Sequence, residues 1–90
     1  MKDSEKLENL YQMILKLETV EECKALLEDL CTRKEVANMA ERLYAAQLLM
    51  EGKTYNQVIS ETSISSATLS RVSQCVQYGK GYSELLKKEK

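Results

Sequence analysis

Histidine, proline, tryptophan and phenylalanine are all missing from this 90-residue chain, and glycine occurs only three times, at 52, 79 and 81. With no proline, few glycines and no run in which β-branched residues alternate over a strand's length, nothing breaks a helical reading or supports a sheet. The lack of histidine puts the usual zinc constellations out of reach of Cys23, Cys31 and Cys75, an odd set without C-x-x-C spacing. Those three are expected to be buried free thiols of a reducing compartment. There is also no glycine-rich phosphate loop, no acid pair in a recognisable setting and no nucleophile beside a base, so neither an enzyme nor a metal or cofactor site is expected. Met1 to Glu5 lead into no long apolar run, and no stretch is long enough to span a bilayer; the expectation is a soluble, cytoplasmic protein with no membrane partner.

What is present is balanced in charge but unevenly distributed. The 13 basic and 14 acidic side chains give a net charge of -1. Residues 1–51 carry 7 basic and 11 acidic side chains, net -4, and residues 52–90 carry 6 and 3, net +3. A polyanion would therefore be met by the C-terminal half alone.

The apolar residues mark six helices. Leu7, Leu10, Tyr11, Ile14 and Leu17 recur at steps of three and four and draw the first stripe. Thr19 with Glu22 forms a capping box, in which hydroxyl and carboxylate satisfy early backbone donors, and opens a second helix through Val20, Cys23, Leu26, Leu27 and Leu30. Thr32 with Glu35 repeats the device. It opens a third helix with Val36, Met39, Ala40, Leu43, Ala46 and Met50 on one side, stopped at Gly52. Thr54 with Gln57 starts a fourth helix and Ser65 a fifth; the glycines of Tyr78-Gly79-Lys80-Gly81-Tyr82 set off a last short helix around Leu85 and Leu86. The first two helices have little else in a chain this short to cover their stripes. Residues 1–51 are therefore expected to form the dimerisation helices of a homodimer, with residues 79–90 as a short C-terminal helix.

Residues 52–78 read differently. Val58, Ile59, Ile64, Leu69 and Val72 suit two short helices crossing steeply about a turn plugged by Ile64, the packing of a helix-turn-helix. The outer face of the second helix would be Ser66, Ala67, Ser70, Ser73, Gln74 and Gln77, with Thr68 and Arg71 near its edges. Small polar residues let a helix sink into the major groove, and Glu61 is the one acid between positions 52 and 80. Free N–H groups at the helix start, with the Ser65 and Ser66 hydroxyls, can take a phosphate. Lys53, Thr54 and Lys80 are the expected phosphate contacts from charge and position. Pattern alone leaves open a helix pair that merely packs, in an adaptor whose acidic half, with Glu18, Glu21, Glu22, Glu28 and Asp29, meets a basic protein.

The run L-C-T-R-K-E-V-A-N-M-A-E-R from Leu30 to Arg42, the long helix ending at Gly52, and the stretch T-Y-N-Q-V-I-S-E-T-S-I-S-S-A-T-L-S-R after it resemble the DNA-binding half of the Trp repressor family. Q-Y-G-K-G-Y at 77–82 is similar to its YerC/YecD branch. The resemblance covers roughly residues 30–82. It implies an all-α, six-helix, intertwined homodimer that binds double-stranded DNA as a transcriptional regulator, with two helix-turn-helix units in successive major grooves. Carried over by position, the base-reading face falls on Asn56, Ser66, Ala67 and Thr68. Thr32, Arg42 and Arg71 stand where the family's repressor has its tryptophan-contacting threonine and two arginines. Val72, however, replaces a glycine in the indole slot, and Cys75 a serine that helps hold the amino group. Valine occupies volume a flat ring would need, so tryptophan is not expected to bind; Arg42 and Arg71 are left for ion pairs or phosphate.

Overall fold

A computed structural model of the chain describes residues 1–87; Lys88, Glu89 and Lys90, where the last charge run ends, lie outside the described residues. Six helices follow one another: α1 (Asp3–Ile14), α2 (Val20–Leu30), α3 (Arg33–Met50), α4 (Tyr55–Glu61), α5 (Ser66–Tyr78) and α6 (Gly81–Lys87). No strand occurs among the described residues. The chain divides into two compact units, Met1–Val36 and Ala37–Lys90.

Four of the helices begin at side-chain caps that bond as the sequence implies. The Thr19 hydroxyl accepts the Glu22 N–H at 3.0 Å while the Glu22 carboxylate accepts the Thr19 N–H at 3.3 Å. The Thr32 N–H donates to Glu35 Oε1 at 2.7 Å and the Glu35 N–H to the Thr32 hydroxyl at 3.1 Å. Thr54 and Gln57 form the same reciprocal pair at 2.8 and 3.2 Å. Ser65 caps α5 by accepting the Thr68 N–H at 3.2 Å. Two glycines are required for different reasons. Gly52 closes α3 with φ +92°, a conformation that costs an L side chain. Gly79 has ordinary extended geometry, but a Cβ there would lie 2.7 Å from the Cys75 carbonyl oxygen, which accepts the Gly79 N–H.

In the first unit no side chain is buried. α1 ends at Ile14, so Leu17 belongs to the turn after the helix rather than to its stripe. Leu10, Leu17, Cys23, Leu26 and Leu27 are half-buried, and Leu7, Tyr11, Ile14, Val20 and Leu30 are exposed.

In the second unit a small core joins Ala45, Ala46 and Leu48 of α3, Val58 of α4, Leu69 and Val72 of α5 and Leu86 of α6, flanked by Leu49, Met50, Ile64, Val76 and Tyr82. This changes the expected face of α3. Its buried positions are Ala45, Ala46 and Leu48, while Met39, Ala40 and Leu43 are exposed and Val36 is half-buried. The reason is reach: α4, α5 and α6 supply the other buried core residues, and the α3 residues that meet them lie in its last two turns. Ile59 is also 38% exposed, and Val58, fully buried, takes its place against Leu69 and Val72. The thiols differ from expectation too, since Cys75 is exposed and Cys23 and Cys31 only half-buried, all three free.

At the α3 cap the acceptor is a charged carboxylate, that of Glu35. The Thr32 N–H and hydroxyl hold its carboxyl below the ordinary glutamate value. A carboxyl whose folded pKa is depressed stabilises fully above its unfolded pKa and loses that contribution as pH falls through the folded value. The melting midpoint of wild type should therefore exceed that of Glu35→Ala by a constant margin from neutral pH down to the ordinary glutamate range, and the margin should shrink below it. A margin that persists unchanged at pH 2 would contradict this account.

Candidate nucleic-acid interface

α4 and α5 form the helix-turn-helix, and the chemistry of each face follows from what the turn allows. At the end of α4 the Ser60 hydroxyl donates to the Gln57 carbonyl at 2.8 Å and the Thr62 hydroxyl to the Val58 carbonyl at 2.8 Å, so the last carbonyls of a seven-residue helix are met by its own side chains. Ile64 then turns inward to the core formed by Val58, Leu69 and Val72. This fixes the faces of α5. Leu69 is fully buried and Val72 is 3% exposed, while Ser66, Ala67, Ser70, Arg71, Gln74 and Gln77 are open to solvent. Ser73, expected on the outer face, is 7% exposed and lies inward, four residues on from Leu69 on the same side of the helix.

The outward side chains are small over the first turn. Ser65 caps the helix, Ser66 and Ala67 are exposed, and the half-buried Thr68 accepts a hydrogen bond from the Ser65 hydroxyl at 3.1 Å. Lys53 and Thr54 precede α4, Asn56 stands in its first turn, and Lys80 lies in the turn before α6; all four are exposed. Arg71, one turn further along α5, is likewise free to solvent.

The structure also gathers residues that the sequence does not single out. A small polar pocket of about 200 Å³ is lined by Asn38, Glu41 and Arg42 of α3, by Ser63, Ile64 and Ser65 of the turn, and by Thr68. Arg42, expected as a ligand or phosphate group, thus shares a pocket with the cap of α5; Arg71 is not in its lining. Across the pocket the Ser63 N–H donates to Glu41 Oε1 at 2.6 Å. Asn38 and Arg42 share a helix face with Glu41 or adjoin it, which the helical spacing could have indicated, but nothing local in the sequence pairs position 41 with position 63. Thr32, the remaining expected ligand group, is exposed and engaged as the cap of α3.

Comparison with known proteins places this geometry. Residues 5–90 match the family model described as Trp repressor protein. The chain is 45% identical over 73 residues to the uncharacterized protein YerC of Bacillus subtilis (strain 168), which covers 81% of this chain and 70% of that protein. Among solved structures it is similar to a candidate Trp repressor from Staphylococcus aureus, at 35% identity and a TM-score of 0.87, covering 99% of this chain and 95% of that one. A TrpR-like protein from Eubacterium eligens ATCC 27750 is similar at 33% identity and a TM-score of 0.91, covering 97% and 91%.

Variants of Ser65 can separate the stability of α5 from any contact its N-terminal end makes with DNA. Ser65→Ala removes the α5 cap and should cost about 1 kcal/mol, measured by chemical denaturation. Ser65→Asp keeps the cap, since a carboxylate caps as well, yet places a negative charge where the interface would meet phosphate. It should melt close to wild type and bind duplex DNA far more weakly. An Asp variant that binds as tightly as wild type would show that this helix end does not face the backbone of a duplex.

Proposed function

The chain belongs to the Trp repressor family, a family of regulators rather than enzymes, and on that footing we propose that it is a sequence-specific, double-stranded DNA-binding transcriptional regulator acting as a homodimer. The observation that carries the reading is the division of α5 into a filled inner face and an open outer one of small, uncharged or basic residues. Such a face fits the major groove, where hydroxyls and short side chains allow close approach. Asn56, Ser66, Ala67 and Thr68 read base edges, and Lys53, Thr54, Ser65, Arg71 and Lys80 hold phosphates and fix the register.

Dimerisation is supported by what stays uncovered. Met1–Val36 buries no side chain, although its two helices carry apolar stripes that include Leu7, Tyr11, Ile14, Val20 and Leu30. In the other unit an apolar groove of about 440 Å³, lined by Leu43, Cys75, Gly79, Gly81, Tyr82, Leu85 and Leu86, is likewise open. Burial of such surface at roughly 25 cal/mol per Å² is what a chain of this size lacks and a second copy supplies. Two copies place two α5 helices in major grooves one helical turn apart on a two-fold operator.

Tryptophan is not part of this function. Val72 fills the position that a flat ring would need, and as a buried member of the core it has no free volume to surrender. Arg42 and Arg71 then serve phosphate or ion pairs.

Selection from a random duplex pool should yield a two-fold sequence, bound by a particle of twice the chain mass in light scattering. Affinity should fall by about 10³-fold between roughly 50 and 200 mM salt if about six phosphates are neutralised. Asn56→Glu should abolish sequence preference; Lys53→Ala should weaken all sequences alike and reduce the salt slope by about one per subunit. A monomer in solution, or no preference among duplexes, overturns the reading.

Tryptophan titration should leave the thermal midpoint unmoved, because only a ligand that binds the folded form raises it. A midpoint that climbs steadily with tryptophan concentration would reinstate the corepressor.

A further inference from the structure

The helix-turn-helix is held to α3 almost wholly by apolar contact. Among the described residues, every hydrogen bond outside the helices joins positions within five of each other in sequence, with one exception, the 2.6 Å bond from the Ser63 N–H to Glu41 Oε1, which spans 22. Apolar contact is strong but non-directional, whereas a hydrogen bond to a carboxylate is short and demands alignment. The bond falls at a decisive place. Ser63 lies two residues before Ser65, the cap of α5, so whatever fixes its backbone also fixes where the recognition helix begins. Glu41 is half-buried, on the side of α3 that lines the polar pocket with Ser63, Ser65 and Thr68.

We propose that Glu41 is a positioning residue for DNA reading: its carboxylate latches the turn of the helix-turn-helix to α3 and so sets the angle at which α5 enters the groove. The inference rests on the DNA-binding reading above and adds to it a residue that touches neither base nor phosphate. An acid here is otherwise unfavourable. It stands close to the helix end that would face a phosphate backbone, and would repel it by charge alone. The latch accounts for its presence, since the oxygen is turned toward the Ser63 amide.

The role needs a hydrogen-bond acceptor at the right reach and does not need the charge, which separates it from electrostatic alternatives. Glu41→Gln keeps the acceptor, Glu41→Ala removes it, and Glu41→Asp keeps the charge on an arm one methylene shorter. The readout is the ratio of affinity for a selected operator to that for a random duplex, measured on the full chain. Glu41→Ala and Glu41→Asp should lower that ratio about tenfold, the scale of losing one base contact, with the salt slope unchanged. Glu41→Gln should keep the ratio while binding all duplexes somewhat more tightly. Should Glu41→Ala fail to fold, Glu41→Asp carries the comparison. A wild-type ratio in Glu41→Asp, or a loss in Glu41→Gln equal to that in Glu41→Asp, overturns the proposal.

Hydrogen exchange of the Ser63 amide in the DNA-free protein tests the latch independently. Slow exchange in wild type and Glu41→Gln with fast exchange in Glu41→Asp supports it; equal rates in all three refute it. If wild type itself shows no preference among duplexes, the DNA-binding reading has failed, and the exchange rates still decide whether the latch exists.

Discussion

A shortage of core is the constraint from which the rest of this structure follows. Seven apolar side chains, Ala45, Ala46, Leu48, Val58, Leu69, Val72 and Leu86, are buried among the described residues, and two of those are alanines. Each larger member contributes on the order of 1.5–3 kcal/mol, against a conformational cost that grows with every ordered residue. None of the seven lies in α1 or α2. Two amphipathic helices with nothing buried are therefore the part of the chain with the most apolar surface left to cover. On the dimeric reading, the surface that completes the fold is also what spaces the two recognition helices, so folding and operator geometry draw on the same apolar area.

How much of this could be read in the sequence depends on how local each interaction is. The capping pairs Thr19–Glu22, Thr32–Glu35 and Thr54–Gln57 were legible because both partners lie within one turn, and each forms as expected. The stop at Gly52 was legible for the same reason, since the left-handed backbone there is a property of one residue. The faces of α3 and α5 were legible only in part. Periodicity gives a stripe, but which end of a stripe is covered depends on partners elsewhere in the chain; α3 buries Ala45, Ala46 and Leu48 and leaves Met39 and Leu43 open. In α5, Ser73 looked like a groove-facing hydroxyl because it is polar. It is small enough to sit inward, and its position four residues after Leu69 places it there.

For the candidate interface the structure speaks to exposure alone. Ser66, Ala67, Asn56, Lys53 and Lys80 are exposed, a condition that a groove-reading surface would have to meet. Thr68 differs in kind: it is half-buried and its hydroxyl already receives the Ser65 hydroxyl, so any base contact it makes is shared with the cap. Glu41 and Ser63 were invisible, because no rule of spacing connects positions 22 apart. Neither residue stands out in the sequence: the turn's apolar signal comes from Ile64 alone, and the serine beside it carries none.

These details bear on how α5 is oriented. A helix-turn-helix that depends on a bound ring for its angle needs a vacancy beside the helix for the ring to occupy. Here Val72, which the family resemblance sets at that position, packs into the same core as Leu69, Val58 and Ala46. Close-packed interiors resist opening, because a ring inserted there must displace side chains that already fill the space. With no ring bound, orientation would come from the chain itself. With the latch proposed above, apolar packing would supply the strength and the Glu41 bond to the Ser63 amide the direction, so that the angle of α5 would be set on folding rather than on ligand binding.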